Sequence, residues 1–313
     1  MNNKINIYKR IQKFGFIVFF WSSLYFLCLK VKLFEKIIVP KKHNVIINWL
    51  SKKYNKIIEE YKYKTGSSDF NKISIPKIIW ICWWDGIFSM PDIVNSCYKS
   101  VVSHSGNFIV NLVTKENYKE YIDFPEYIIS KFEKGMISVT HLSDIMRMTL
   151  LSKYGGFWLD ATVYVTGAIN FDNLSFFTVR RNLGGKYVPQ QRWTGNCMAG
   201  SPDILLFSFV YDIFREYWME FNEMIDYFLI DYAIAMAYNN IPEVKIMMDN
   251  NRQNNENYMV LNRYLHKEYS SGEFNEITAD TIFHKLTWKT KHSVLTPDNK
   301  LTYFGYVLNQ YEQ

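Results

Sequence analysis

Amphipathic segments and continuous apolar runs follow one another along most of the chain. Residues 44–63 carry apolar side chains at helical spacing and predict an amphipathic helix, with its apolar positions at Ile46, Ile47, Leu50, Tyr54, Ile57, Ile58 and Tyr61. Residues 78–84 (IIWICWW) are a continuous apolar run, which is typical of a buried strand. A helix is predicted from Pro91, because proline is favoured in the first turn, and a second strand over 108–113.

The segment 139–165 has the most informative pattern. Residues 139–153 are apolar on nearly all sides, which predicts a buried helix, and Gly155 follows where a left-handed C-cap favours glycine. Residues 157–165 predict a strand that a polar Asp-Ala-Thr interrupts. The remaining predictions are a short helix over 126–133, strands at 176–179 and around Cys197, and helices over 203–220 and 224–239. Strands and helices alternate through the first half, which predicts an α/β fold with a largely parallel sheet.

The N-terminal residues predict attachment to a membrane. Residues 14–29 contain no charge, and basic residues flank them on both sides. Their length lies between the about 20 residues of a spanning helix and the 10–14 of an interfacial or buried one. The flanking charges, with Trp21 and Tyr25, favour a position at the headgroups of the cytoplasmic leaflet; a helix buried in an N-terminal cap is the alternative. Because 65–69 read as a linker, we predict a membrane-associating helical segment over 1–66 and a second domain over 67–313.

Composition narrows the class of protein. The chain is 48% hydrophobic with only 14 Gly and 8 Pro, which excludes collagen-like and low-complexity proteins. A net charge of +6 is too small to indicate nucleic acid but suits an anionic lipid surface or a phosphorylated ligand. The four cysteines have neither CxxC nor zinc spacing, which predicts free thiols.

Two features carry candidate chemistry. Asp144 and Arg147 share one face of the predicted buried helix, where a charged pair must be compensated or face a cavity. Together they offer the acceptors and donors that sugar hydroxyls need; an intrahelical ion pair is the alternative. Asp160 ends an apolar strand, the position at which open α/β sheets bind ligands, and a carboxylate there suits a divalent cation on a diphosphate. A turn or capping aspartate is the alternative.

Two further features are more ambiguous. Alternation along the first strand puts Trp80 and Trp84 on one face and Trp83 on the other, where an aromatic ring either stacks on a nucleobase or packs in the core. Asp231, on the predicted helix 224–239, either lines an acceptor site or pairs two helices.

Three motifs together resemble a known family. Residues 75–83 (IPKIIWxxW), 143–147 (SDIxR) and 154–163 (YGGxWxDATV) closely resemble the capsular polysaccharide synthesis family of bacterial glycosyltransferases. That family is similar to the GT-A transferases that include yeast mannosyltransferases and the large clostridial glucosylating toxins. The resemblance extends from about residue 74 to the C-terminus. It implies a GT-A-like, Rossmann-type mixed sheet flanked by helices, after an N-terminal helical extension.

The resemblance also implies roles for individual residues. Trp83 would stack on uracil, Asp144 and Arg147 would hold the donor sugar's hydroxyls, and Asp160 would be the first aspartate of a DxD-like motif, contacting the ribose and a metal. Asp144, Arg147 and Asp160 form the implied catalytic set. Thr162 stands where the second DxD aspartate is expected, which weakens metal binding. The motif residues Tyr154, Gly155 and Gly156 complete the donor-binding segment.

Residues 283–289 (FHKLTWK) are similar to a segment that closes over the diphosphate in related transferases. His284 would bind metal or phosphate, Lys285 and Lys289 would neutralise the leaving group, and Trp288 would join the donor site. A surface basic stretch around a packed Trp288 is the alternative. The implied metal set is Asp160, Thr162 and His284, with Mn²⁺ or Mg²⁺ as the cofactor.

We therefore expect a nucleotide-sugar-dependent glycosyltransferase at the cytoplasmic face of a bacterial plasma membrane. It would move a sugar from a UDP-linked donor to a lipid-linked capsular or surface polysaccharide intermediate, with retention of configuration and no nucleic-acid partner. The alternatives are an effector-type protein glycosyltransferase, a weakly catalytic nucleotide-sugar-binding scaffold of polysaccharide assembly, and a nucleotide-sugar hydrolase.

Overall fold

The computed structural model of the protein describes residues 9–31, 34–64 and 74–311. These ranges contain the strands β1 (Ile78–Cys82), β2 (Ile109–Val113), β3 (Gly156–Leu159), β4 (Val163–Val165), β5 (Phe176–Thr178), β6 (Cys197–Gly200) and β7 (Phe283–Lys285). Five strands form the central sheet in the order β2-β1-β3-β6-β5, and β4 and β7 form a separate antiparallel pair. Because β6 is antiparallel to both β3 and β5, the sheet is mixed, as the family resemblance implies, and not largely parallel, as the alternation of elements predicts.

Helices surround the sheet and precede it. They are α1 (Phe16–Val31), α2 (Glu35–Lys53), α3 (Asn55–Tyr63), α4 (Asp92–His104), α5 (Tyr118–Tyr121), α6 (Glu126–Glu133), α7 (Val139–Tyr154), α8 (Leu205–Glu220), α9 (Leu229–Asn240), α10 (Pro242–Asn250), α11 (Val260–Tyr264), α12 (Ser271–Thr278) and α13 (Tyr303–Asn309). The predicted buried helix is α7, in which ten of 16 residues are buried. Its N-cap Ser138 accepts a hydrogen bond from the His141 amide, and it ends at Gly155, whose φ is +64°.

The two faces of the sheet bury different clusters, because side chains alternate along each strand. Trp80 and Trp158 point to the face that α7, α8 and α9 cover. Ile79 points to the opposite face, which α4 and the β4–β7 pair cover. Trp84 packs with the first cluster and Trp83 with the second, so the predicted alternation of the three tryptophans is confirmed.

The N-terminal helices belong to the same core. The predicted amphipathic helix over 44–63 corresponds to the second half of α2 and all of α3, with a break at Tyr54. Its apolar face, including Ile46, Leu50 and Ile58, is buried in the cluster that contains α8 and α9. Of the helices in residues 9–31, 34–64 and 74–311, none combines the length and the apolar composition that a membrane-spanning helix needs. The predicted linker at 65–69 lies outside the described residues, so the division into 1–66 and 67–313 stays a prediction.

The helix predicted over 224–239 begins later, at Leu229. The hydroxyl of Tyr217 accepts from the amide of Ile225 at 2.6 Å and donates to the carbonyl of Glu223 at 2.7 Å. The amide of Phe228 donates to the Asp226 carboxylate at 3.1 Å. These side chains provide hydrogen-bond partners for backbone N–H and C=O groups that are not in a helix. The segment can therefore stay irregular up to residue 228.

Candidate active site

The strand order reverses at β1, which creates a crevice at one edge of the sheet. From β1 the chain passes through α4 to β2 on one side and then returns to β3 on the other side. In open α/β sheets, ligands bind outside the carboxyl ends of the strands at such a reversal. Trp83 follows β1 and Asp160 follows β3, so two residues far apart in sequence lie on adjacent strands at this edge.

Asp160 lies in the turn between β3 and β4. Its backbone is fixed because its amide donates to the carbonyl of Asn196 at 3.0 Å and its carbonyl accepts from Val163 at 2.9 Å. Its Oδ1 accepts hydrogen bonds from Arg147 Nη2 at 3.0 Å and from Trp158 Nε1 at 2.9 Å. Its Oδ2 accepts from Lys285 Nζ at 3.0 Å. Burial opposes the charged form, but the charges of Lys285 and Arg147 outweigh burial and hold the pKa of Asp160 below its ordinary value.

Arg147 joins Asp160 to Asp144. Its Nη2 lies 3.3 Å from Asp144 Oδ1 and 3.0 Å from Asp160 Oδ1, so one guanidinium contacts both carboxylates. Asp144 and Arg147 are both buried, which makes their mutual compensation necessary. The predicted pair is therefore an intrahelical ion pair and also part of a larger charged cluster.

His141 supports this cluster from behind, a residue that the sequence analysis did not single out. Trp218 Nε1 donates to His141 Nε2 at 2.9 Å, and His141 Nδ1 lies 3.4 Å from Asp144 Oδ2. Because an indole N–H can only donate, Nε2 must accept, and the neutral ring carries its proton on Nδ1, toward Asp144. The sequence could have indicated this contact, because a histidine three residues before Asp144 on the same helix lies on the same face.

Lys285 reaches the site through the β4–β7 pairing, which sets residue 285 beside Val163. Its Nζ lies 3.0 Å from Asp160 Oδ2 and 2.5 Å from Thr162 Oγ1. The ammonium group therefore lies between two of the three residues that the family resemblance implies as metal ligands.

His284, the third implied ligand, lies apart from Asp160. It neighbours Lys285 on β7, so its side chain points to the opposite side, where it is 0% exposed and its Nε2 lies 3.1 Å from Thr166 Oγ1. Burial lowers the pKa of His284 to about 4. In the described ranges no group of three or more His, Cys, Asp or Glu side chains could hold a metal ion. This arrangement does not fit a divalent cation, and the expectation of Mn²⁺ or Mg²⁺ stays a prediction.

The aromatic end of the crevice brings Trp83 and Trp288 together. Their ring centroids are 6.0 Å apart and nearly perpendicular, and Trp288 is 46% exposed. Trp83 Nε1 donates to Ser89 Oγ at 2.9 Å, which fixes the orientation of its ring. Lys289, which the family resemblance implies would neutralise the leaving group together with Lys285, is exposed. These rings offer an accessible aromatic surface next to the charged cluster.

Tyr154, Gly155 and Gly156 lie at the start of β3, the opposite edge of the sheet from Asp160. Four residues of strand separate the two ends by about 13 Å. A Cβ at position 156 would lie 2.6 Å from the Ile78 carbonyl oxygen, and Trp80 Nε1 donates to the carbonyl of Gly155 at 2.9 Å. The two glycines thus allow β3 to approach β1 closely, and these three residues do not line the crevice.

The chain is similar to known proteins in sequence and in fold. The profile of the family described as "Capsular polysaccharide synthesis protein" matches residues 29–307, most of the chain. No curated protein matches the chain. A solved structure titled "PaToxG Glycosyltransferase" is similar at 15% sequence identity and a TM-score of 0.40, over 69% of this chain and 83% of that one. A likeness at this level carries no argument about activity.

Proposed function

Because the chain belongs to the capsular polysaccharide synthesis protein family and is an enzyme of the glycosyltransferase class, we propose that it uses a UDP-linked sugar as donor. The proposed acceptor is a lipid-linked intermediate of the polysaccharide. The observation that carries this proposal is the cluster of Asp144, Arg147, Asp160 and Lys285 at the carboxyl end of β3.

Glycosyl transfer from such a donor develops charge at two places on the substrate. The bond between the anomeric carbon and the diphosphate breaks, so negative charge grows on the leaving group while positive charge grows on the sugar. Preorganised cations near the leaving group lower this barrier. The Lys285 ammonium, at 20% side-chain exposure, is open enough to contact a diphosphate.

The other residues of the cluster would orient the donor. Asp144 and Arg147 offer acceptors and donors to the sugar hydroxyls, and Asp160 offers carboxylate oxygens to the ribose. Trp83 and Trp288 offer an aromatic surface to the base. Fixing the donor in this way contributes to catalysis because it removes motional freedom before the chemical step.

The proposed reaction retains configuration, in line with the family resemblance. The acceptor hydroxyl oxygen bonds to the anomeric carbon, the diphosphate leaves with the electron pair, and the hydroxyl proton passes to a diphosphate oxygen. The anomeric signals of the product in a proton NMR spectrum distinguish retention from inversion.

Substitution of the central carboxylates tests the proposal. We expect Asp160→Asn and Asp144→Asn to lower transfer from UDP-sugars by about 100-fold or more, because a donor that is no longer held in the reactive orientation reacts far more slowly. Asp172→Asn, at an exposed loop carboxylate, is the matched control and should keep full activity. Thermal unfolding with UDP and a UDP-sugar panel, with and without Mn²⁺, monitors binding separately.

The outcomes separate the alternatives. Unchanged transfer by both variants would contradict the proposal. UDP binding without any turnover would favour a scaffold, sugar release without an acceptor would favour a hydrolase, and transfer to a polypeptide would favour an effector-type enzyme. If UDP protects the protein only when Mn²⁺ is present, the prediction of a Mn²⁺ or Mg²⁺ cofactor would be supported despite the position of Lys285.

A further inference from the structure

A second cavity lies beside the crevice, on the side away from Trp83. Its volume is about 480 Å³, within the range of about 300–1,000 Å³ that is typical of small-molecule sites. Residues 181–191, here called the flap, form one wall, residues 193–196 form the floor, and the start of α9 forms the other wall. The polar side chains that line it are those of Arg181, Lys186, Gln190, Gln191, Thr194, Asn196 and Asp231.

The sheet brings this cavity next to the charged cluster. Asn196 directly precedes β6, the strand beside β3, and neighbouring strands lie about 4.8 Å apart. The carbonyl of Asn196 accepts from the Asp160 amide, which joins the floor of the cavity to the crevice. A Cβ on Gly195 would lie 3.0 Å from Arg147 Nη1 and 3.8 Å from Ile230 Cδ1. Arg147 thus borders the cavity across a single glycine.

Asp231 presents a carboxylate to this cavity. It lies in the first turn of α9, and its Oδ1 accepts from the buried Trp193 Nε1 at 3.0 Å. Among the described residues no donor bonds to its Oδ2. Burial, with a smaller contribution from the charge of Asp144, raises the pKa of Asp231 to about 6, although Trp193 and Arg147 act in the opposite direction. A buried carboxylate with no directly paired cation needs a second hydrogen-bond donor to stabilise its charge. The hydroxyl group of a bound sugar would supply that donor.

Asn196 and the flap complete a hydrogen-bonding set. Asn196 Oδ1 accepts from Tyr258 Oη at 2.6 Å, so its amide nitrogen is oriented to donate to a ligand. Gln190 and Gln191 both adopt left-handed backbone conformations, with φ of 47° and 63°, in which their carbonyls accept from residues 184 and 181. Amide groups that both donate and accept suit the hydroxyls of a sugar, each of which does the same.

The flap also carries an apolar surface. Tyr187 is 47% exposed, and its ring lies 6.0 Å from that of Phe228. Lys186 forms an ion pair with Glu35 at the start of α2, which ties the flap to the N-terminal helices. A half-exposed aromatic ring beside polar groups is a suitable contact for the apolar face of a pyranose.

We propose that this cavity binds the acceptor sugar, with Asp231 and Asn196 hydrogen-bonding its hydroxyl groups. The inference rests on the proposed function, in which the donor sugar lies at Asp144 and Arg147. The acceptor hydroxyl would then approach the anomeric carbon from the side of β6, while the nucleotide extends toward β1. Asp231 acts as an acceptor-binding residue, and the proton follows the route already described.

Glycoside binding tests this assignment. A panel of phenyl glycosides of hexoses and N-acetylhexosamines is titrated in the presence of UDP against the full chain and against Asp231→Asn, Asn196→Ala and the control Asp172→Asn. We expect the wild-type protein and the control to bind at least one glycoside, and Asp231→Asn to bind it about ten-fold or more weakly, as for loss of a charged hydrogen bond. Protection by UDP alone should stay the same in all variants, which shows that they are folded.

Two results would overturn the assignment. One is that the wild-type protein binds no glycoside, and the other is that Asp231→Asn and Asn196→Ala both bind the glycosides as tightly as the wild-type protein does. If Asp231→Asn does not fold, Asn196→Ala alone decides. Failure of UDP to protect the wild-type protein against thermal unfolding would contradict the proposed donor site. Glycoside titration of the wild-type protein and the variants would still decide whether the cavity binds a sugar. The two proposals therefore fail separately.

Discussion

At the scale of single residues, the site depends on charges that compensate one another. Arg147 and Lys285 face Asp144 and Asp160, so the cluster is balanced although Asp144 and Arg147 are almost fully buried. Asp231 differs, because the described residues give it the Trp193 N–H but no directly paired cation. One carboxylate is thus stabilised in its charged form and the other is not.

This difference predicts how pH affects stability through Asp231. Its pKa rises from an ordinary 3.8 to about 6 on folding, so between these values the folded state binds more protons than the unfolded state. Its charged form therefore lowers stability as pH rises through this window, by at most about 3 kcal/mol above pH 6. We expect Asp231→Asn to be more stable than the wild-type protein at pH 7 and equally stable near pH 4.

Urea unfolding of both proteins across that pH range measures the difference. Asp172→Asn, at an exposed position, should follow the wild-type curve. A variant that is less stable than wild type at pH 7 would refute the prediction. A gain in stability with a loss of sugar binding would be the pattern expected where a functional site tolerates an unfavourable charge.

Gly195 supports a second prediction at this scale. Substitution by alanine would put a Cβ 3.0 Å from Arg147 Nη1, and the ion pairs of Arg147 limit how far it can yield. We expect Gly195→Ala to lower transfer by about ten-fold or more, because small displacements of orienting groups are costly. Initial rates with a UDP-sugar donor measure this.

Gly272→Ala is the control for Gly195→Ala. It lies in the exposed helix α12, where the added Cβ would meet nothing nearer than 3.9 Å. Its activity should equal that of the wild-type protein, and its stability should be equal or slightly higher. Full activity of Gly195→Ala would show that Arg147 can move without consequence for transfer.

At the scale of elements, α1 stands out because it exposes apolar side chains. The exposed side chains, each 47–64% accessible, are Phe16, Ile17, Phe20, Phe26, Leu27 and Val31. At 3.6 residues per turn they lie within an arc of about 180°, so they form one broad stripe along the helix. Val18 and Cys28 lie on the buried side. If the protein attaches to the surface of a membrane, as the sequence predicts, this stripe is the surface that would contact the lipid.

Vesicle binding tests the role of α1. We expect Phe16→Ser with Phe20→Ser and Leu27→Ser to reduce binding to vesicles of phosphatidylethanolamine and phosphatidylglycerol by about ten-fold or more, because apolar burial drives interfacial binding. Ile246→Ser, at an exposed apolar position on α10, is the control. Co-sedimentation gives the partition coefficients. Equal binding by the triple variant and the control would exclude this stripe as the attachment surface.

At the scale of the whole molecule, the central sheet organises the proposed ligand sites along one edge. Trp83 follows β1, Asp160 follows β3 and Asn196 precedes β6, on consecutive strands of the sheet. The proposed nucleotide, donor sugar and acceptor sugar would therefore lie in sequence across this edge. The flap connects the last of these positions to α2 through the ion pair of Lys186 with Glu35, so the N-terminal helices and this cavity are in direct contact.

Much of the fold follows from local sequence patterns. The periodicity of α7 and the apolar runs of β1 and β2 identify these elements to within one or two residues, because burial imposes a regular spacing. The family resemblance, carried by short motifs, is confirmed by the match over residues 29–307. The late start of α9 was not predictable, because side chains from α8 and its following loop compete for the backbone there.

For the candidate site, the sequence by itself determined which residue types are available: a charged pair on a buried helix, a carboxylate after an apolar strand, and a basic aromatic stretch near the C-terminus. Only the tertiary structure decided how they combine. The pairing of β4 with β7 brings Lys285 to Asp160 and turns His284 away, and the β3–β6 pairing brings Asn196 and the Asp231 cavity beside them. Strand pairing between distant segments depends on the packing of the whole core, so no local pattern specifies these neighbours.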